Sequence, residues 1–258
     1  MSSLNYADIV KAFKNSGLMS GDSLMLHSDS IALAQLASGT VEERCNLLFD
    51  ALDEILGPEG NLVIPTFTYS FTKNEDYDPQ TSASKVGLLS NRFLLRPGVL
   101  RTYDPIFSMA VKGPLANEFL NAPYENCFGN RSAFSIIEKN NFLIGGFGCN
   151  LNSFTFLHYI EQNIRVEYRY FKDFEGNIQT NAGTKSCKIK YFVRDLERET
   201  NLNAALLRAS LISNNLLSIQ PVGRVALFMV RAQELMSESK KLIKINPYAL
   251  IDEGVKFS

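Results

Sequence analysis

Two histidines occur in the 258-residue chain. One of them, His158, stands three residues ahead of a carboxylate in the run NSFTFLHYIEQ. If that run is helical, His158 and Glu161 share a face, and imidazole is the side chain whose proton exchanges near neutral pH. A carboxylate beside it can orient the ring or raise its basicity, which is the arrangement of a general base. A core histidine merely satisfied by Glu161 is the other reading of the same spacing. Cys149 follows the glycine-rich IGGFG closely enough to suggest a second chemistry, a cysteine hydrolase with His158 as its base. The remaining cysteines, Cys45, Cys127 and Cys187, lie far apart, and no C-x-x-C pair occurs. With so few histidines, no metal cage is expected, and the cysteines read as reduced structural thiols.

Helical and strand patterns alternate along the chain. Residues 5–16 place Ile9, Val10 and Phe13 at helical spacing and stop at Gly17, a good C-terminal cap. SLMLHS (23–28) predicts a short buried strand. The next helix opens with a capping box, Thr40 and Glu43, and ends at Gly57 and Pro58. NLVIPTFT (61–68) predicts a second strand, leaving the core near Pro65. A polar and aromatic loop of functional length occupies 69–84, and KVGLLSNRFLLRPG a short helix. MAVKG, NFLIGGFG and SCKIKYFVRDL predict further strands, and 201–217 and 224–245 predict helices. No repeat or linker interrupts residues 1–258, so the expectation is one α/β domain.

In order, LHSDS, LGPEGNLVIPTFTYSF, VGLLSNRFLLRPGVLRTYDPIFSMAVKG and FLIGGFGCNLNSFTFLHYIEQ resemble the successive blocks of the aminoglycoside 3-N-acetyltransferase family, also called the antibiotic N-acetyltransferase family. The resemblance runs from about His27 to Tyr170 and becomes looser afterwards, chiefly through VGRVALFMVRAQELM. It implies an α/β/α layered architecture and an acyltransferase using coenzyme A, as acyl-CoA, for its co-substrate. By this resemblance His158 is the catalytic histidine, and Glu161 its carboxylate partner. A non-catalytic acyl-CoA-binding protein is the contrasting expectation, and the intact His158 and Glu161 count against it.

The remaining sites are also placed by resemblance. His27, Ser28, Asp29 and Ser30 form the coenzyme loop, where hydroxyls and N–H groups at a strand end suit a pyrophosphate or pantetheine arm. The family usually has His-Ser-Ser there, so Asp29 is a departure. Thr66, Phe67 and Thr68 lie beside the pantetheine and acyl group, with Ser108 on the same wall. Asp104 stands where the family commonly has a histidine. Arg101 is placed to face a phosphate, and Ser132 to contact the coenzyme.

For the acceptor, the run RVEYRYFKDFEG (165–176) offers Arg165 and Arg169 for phosphates and Tyr168 for stacking, with Tyr69 beside them. A polycation would reward an acidic cleft, but 26 basic and 27 acidic residues supply no overall negative field. The preferred expectation is therefore a nucleotide-linked amino sugar, a 3-amino-deoxyhexose used in surface polysaccharide synthesis, and the alternative is an aminoglycoside antibiotic. A net charge of −1 without a basic stripe argues against nucleic acid. No segment reads as membrane-spanning or as a signal peptide, so the cytoplasm is the default location. A homodimer is compatible with the sequence without being required by it.

Overall fold

The computed structural model describes residues 3–37 and 39–255. In chain order its strands are β1 (Ser23–Ser28), β2 (Asn61–Pro65), β3 (Leu100–Arg101), β4 (Met109–Lys112), β5 (Leu143–Phe147), β6 (Arg169–Thr180), β7 (Gly183–Arg194), β8 (Ser218–Val222) and β9 (Val225–Arg231). Seven of them form one sheet in the order β3-β4-β2-β1-β5-β9-β8, and β6 and β7 form a separate hairpin. β1 runs parallel to both β2 and β5. The outer strands β4 and β9 pair antiparallel to them.

The three parallel strands are continuous apolar runs because both of their faces are covered. Alternate side chains divide between two cores. Leu24, Leu26, Leu62, Ile64, Leu143 and Met229 point one way, and Met25, Val63, Ile144, Val111 and Val230 the other. On the first face lie α1 (Tyr6–Asn15), α2 (Ser30–Leu33), α3 (Val41–Leu56) and α4 (Leu88–Phe93). On the second lie α5 (Ala116–Leu120), α6 (Ala133–Lys139), α7 (Phe156–Ile164), α8 (Ala205–Ser213) and α9 (Ala232–Ile245), with the hairpin. The result is an α/β/α sandwich.

Capping decides where the first helices begin. In α1 the Asn5 and Asp8 side chains and backbones exchange hydrogen bonds, and in α3 Thr40 and Glu43 do the same. Residues 224–245 were expected to be one helix. They divide at Arg231 into β9 and α9, because VALFMVR is a short, unbroken apolar run that periodicity cannot assign to helix or strand. It becomes a strand because an open edge beside β5 is there to pair with it.

The chain leaves the adjacent strands β1 and β5 in opposite directions. After β1 it turns to α2 and α3 on the first face, and after β5 to α7 on the second. Divergence of this kind opens a crevice at the carboxyl ends of the strands, the usual binding place in open α/β sheets.

Candidate active site

A cavity of about 240 Å³ occupies that crevice. His27, Ser28 and Asp29 reach it from the end of β1, Pro65 from the end of β2 with Phe67 and Tyr69 just beyond it, and Cys149, Ser153 and Thr155 from the turn between β5 and α7. Ser90 and Val86 close it from the α4 side. His158 lies one helical turn past Thr155.

α7 forms because Phe156, Leu157 and Ile160 make an apolar stripe that docks under the sheet. That docking also carries Glu161 inside, where its side chain is 0% exposed, whereas that of His158 keeps 21%. Glu161 Oε2 lies 2.8 Å from Nδ1 of His158 and 2.8 Å from Nε of Arg169. Nη2 of Arg169 lies 2.9 Å from the same Nδ1. Burial alone would push the Glu161 carboxyl up, but the Arg169 charge and the imidazole contact outweigh it and hold the group below its ordinary value. His158 is also held below its ordinary value, by burial and by Arg169, against the upward pull of Glu161. The pair is a neutral imidazole beside a fixed carboxylate, which is the state in which a general base can accept a proton.

His27 is the other histidine and serves differently. Its ring stacks on Phe154 at 5.3 Å, Nδ1 lies 3.4 Å from the Gly145 carbonyl, and Nε2 accepts from the Thr155 N–H at 3.4 Å. Both nitrogens are engaged, and burial lowers its pKa to about 4. A neutral His27 thus ties β1 to β5 and to the start of α7. Asp29 caps α2 by accepting from Ile31 N–H at 2.8 Å. Ser28 faces the cavity, whereas Ser30 is exposed and bonds to Asp29.

Several expected ligand contacts are interior ties instead. Arg101 was expected to face a phosphate, but its guanidinium donates to the Thr66, Pro79 and Ser82 carbonyls at 2.7, 3.2 and 2.5 Å. Thr66 donates to the Ser108 carbonyl, Ser108 to the Thr66 carbonyl, and Thr68 to the Pro105 carbonyl. These bonds bind the end of β2 to the following loops, and of this segment's named residues only Phe67 and Tyr69 reach the cavity. Ser132 precedes α6 with its hydroxyl buried and away from the cavity. On the acceptor side, Tyr168 is fully buried and cannot stack on a ligand, and Arg169 belongs to the His158 cluster. Arg165 caps α7 in the left-handed region at φ 62° with its guanidinium over Phe171.

Three aromatic residues escaped the sequence reading. Phe107 packs on Phe67 at 5.2 Å, Phe128 packs on Phe107 at 4.8 Å, and Phe128 meets His158 edge-on at 6.0 Å. Tyr191 of β7 packs on both phenylalanines. Together they form an apolar wall from the cavity to the imidazole, assembled from two turns that carry no periodic signal, at Phe107 and Phe128, and from strand β7 at Tyr191. Asp104 accepts from the Ile106 and Phe107 N–H groups at 2.8 Å each and shapes that wall; burial raises its pKa to about 6. Cys149 lines the cavity as a thiol that burial pushes up to about 11, which removes the thiolate a cysteine hydrolase needs. Among the described residues no group of metal-ligating side chains occurs, and no helix is long and apolar enough to cross a membrane.

Comparison with known proteins places this geometry. Aminoglycoside N(3)-acetyltransferase IV of Salmonella sp is 32% identical over 119 residues, 45% of this chain and 42% of that protein. Aminoglycoside N(3)-acetyltransferase III of Salmonella sp is 31% identical over 177 residues, 59% of this chain and 58% of that protein. The matches thus span about half the length of these curated relatives. Among solved structures, aminoglycoside acetyltransferase AAC(3)-Xa superposes with a TM-score of 0.82 at 20% identity, covering 94% of this chain and 93% of that one. AAC-IIIb, solved as a binary complex with CoASH, superposes with a TM-score of 0.79 at 20% identity over 95% of this chain and 98% of that one. Both share the fold. The family model for aminoglycoside 3-N-acetyltransferase matches residues 25–244, from β1 to the end of α9, and the chain belongs to that family.

Proposed function

We propose that residues 1–258 act as one acyl-CoA-dependent N-acyltransferase domain that acylates a primary amine of an aminoglycoside. The observation that carries this reading is the buried Glu161–His158 pair set one helical turn from a cavity at the carboxyl ends of β1, β2 and β5. The amine attacks the thioester carbonyl carbon, the C–N bond forms and the C–S bond breaks. His158 takes the proton released by the amine, and the coenzyme leaves as a thiolate that is then protonated. Glu161 orients the imidazole through Nδ1, which leaves Nε2 as the accepting nitrogen. The cavity lies below the ~300–1,000 Å³ that buries a drug-sized ligand, so it suits the slender pantetheine arm of a larger molecule. Ser28, Ser153 and Thr155 offer polar groups along it, and Phe67 and Tyr69 an apolar wall.

The names of the curated relatives support the aminoglycoside acceptor, as does a histidine-to-alanine mutant of AAC(3)-IVa solved in complex with apramycin, which shares the fold. The nucleotide-linked amino sugar loses Tyr168 and Arg169 as contacts. It keeps one supporting observation as a second reading: Lys172, Lys185, Lys190 and Arg194 are exposed on the hairpin and outnumber its two acidic residues, Asp173 and Glu175, both of which pair with Lys188, and such a surface favours an anionic acceptor.

The test is release of free thiol from acetyl-CoA with a kanamycin-like aminoglycoside, with a nucleoside-diphosphate-linked amino sugar and without amine. Amine-dependent release with the aminoglycoside is expected. Release only with the nucleotide-linked sugar would transfer the assignment to the second reading, and release with neither would remove N-acyl transfer to amino sugars.

A further inference from the structure

We propose, resting on the acyl-transfer reading of this site, that Arg169 is a positioning residue of the reaction: its guanidinium clamps Glu161 and faces Nδ1 of His158, so that the carboxylate orients the imidazole without turning it into a cation. The arginine is almost completely enclosed, with 2% of its side chain exposed. Its Nη1 donates to the Phe192 carbonyl at 3.3 Å. One side chain therefore joins α7 to both strands of the hairpin at the catalytic pair: Nε contacts Glu161 by charge without a hydrogen bond, while the two Nη groups reach His158 and Phe192, a spread over three partners that a planar fork can hold and a lysine cannot.

The charges around the ring define what the clamp does. α7 supplies Glu161, the start of β6 supplies Arg169 with Tyr168 beside it, and β7 supplies Arg194 and Tyr191. Phe128 contributes only a ring edge, and Asp104 and Cys127 lie beyond it, held to each other at 3.8 Å. Arg169 balances the single carboxylate, so protonating His158 adds an uncompensated cation to a buried cluster. In a histidine–carboxylate pair without such a cation, the carboxylate would stabilise the imidazolium directly. Here it is left chiefly with orientation. The resting imidazole consequently stays neutral, and ready to accept a proton, to lower pH than an unclamped one.

The chain has only two histidines, so the imidazole Cε1–H signal of His158 can be followed by NMR in the resting, substrate-free protein, with assignment by its disappearance in His158→Gln. The parent midpoint is expected below the ordinary value of about 6.5. Arg169→Gln should raise it by about one pH unit or more, a tenfold change in proton affinity. An unchanged or lowered midpoint in folded Arg169→Gln overturns the proposal. Should that variant fail to fold, the parent midpoint decides: an unclamped carboxylate pulls the imidazole upward, so a parent midpoint at or above the ordinary value of about 6.5 rejects the clamp. Arg169→Lys keeps the charge without the fork. Its midpoint should stay near that of the parent while amine-dependent kcat drops about tenfold or more; parent-like turnover overturns the positioning role. Because the titration is read without substrate, its result is separate from whether any amine turns over.

Discussion

The two histidines differ in what surrounds each ring nitrogen, and that difference makes separate predictions. His158→Ala should lower amine-dependent thiol release by about 10²–10⁴-fold, with acyl-CoA binding by calorimetry retained; turnover within tenfold of the parent would exclude it as the base. His27 predicts a stability effect. Its folded pKa of about 4 lies below the unfolded value of 6.5, so the unfolded chain binds more protons between those values. The contribution is therefore complete above pH 6.5 and is lost as pH falls from 6.5 towards 4, by a total of about 3 kcal/mol. Asp104 acts with opposite sign, since its pKa is raised from 3.8 to about 6: its contribution is present at low pH and is lost as pH rises through that window. The His27 term is thus read as a difference. Urea midpoints at pH 7 and pH 5 should fall less in His27→Gln than in the parent, and equal losses would show that the ring is not titrating as a buried neutral group. Neither role could be read from residue type alone, because each histidine follows a leucine in a mainly apolar run.

At the scale of elements, the site depends on how closely β5 meets the turn that follows it. A Cβ placed on Gly146 would lie 2.6 Å from the Cys149 carbonyl oxygen and 2.8 Å from the Phe154 ring. The glycine lets the turn fold back over the strand, which brings Cys149, Ser153 and Thr155 to the cavity. Gly146→Ala should cost about 1–3 kcal/mol by overpacking, measured by urea unfolding, and should weaken acyl-CoA binding because the cavity wall moves with the turn. A variant with parent-like stability and affinity would show that the wall does not depend on this contact. The glycines after NFLI were legible as a place of close approach. Their partner was not, because the Phe154 ring reaches Gly146 only after the 3₁₀ turn Leu151–Ser153 has formed. The hairpin shows the same limit. Its alternating aromatic residues are readable as strand, but β6 runs twelve residues against β7, and this pairing carries Arg169 into the interior and leaves Tyr170 53% exposed.

Across the whole molecule, a net charge of −1 does not say where the charges lie. The hairpin exposes cations whereas Asp50 and Asp53 lie across the sheet, paired with Arg96 and Lys112. If the acceptor is an aminoglycoside, replacing Lys172 and Lys190 by glutamine should leave its KM unchanged or lower it, because a polycation is repelled by that surface. A KM that rises severalfold, and a salt dependence that disappears in the double variant, would instead identify an anionic acceptor. The distinction could not be drawn from composition, since 26 and 27 charges of opposite sign fit either arrangement. Local pattern was enough to place β1, β2, the glycine end of β5 and the shared face of His158 and Glu161, because hydrophobic runs, capping boxes and i, i+3 spacing act within a few residues. The cavity, the aromatic wall from Phe67 to His158, the tying of Arg101 to carbonyls and the clamp of Arg169 on Glu161 depended on segments far apart in the chain. A charged side chain faces solvent or interior according to which partner the fold brings within about 3 Å, and that is decided only when α7, the hairpin and the sheet pack together.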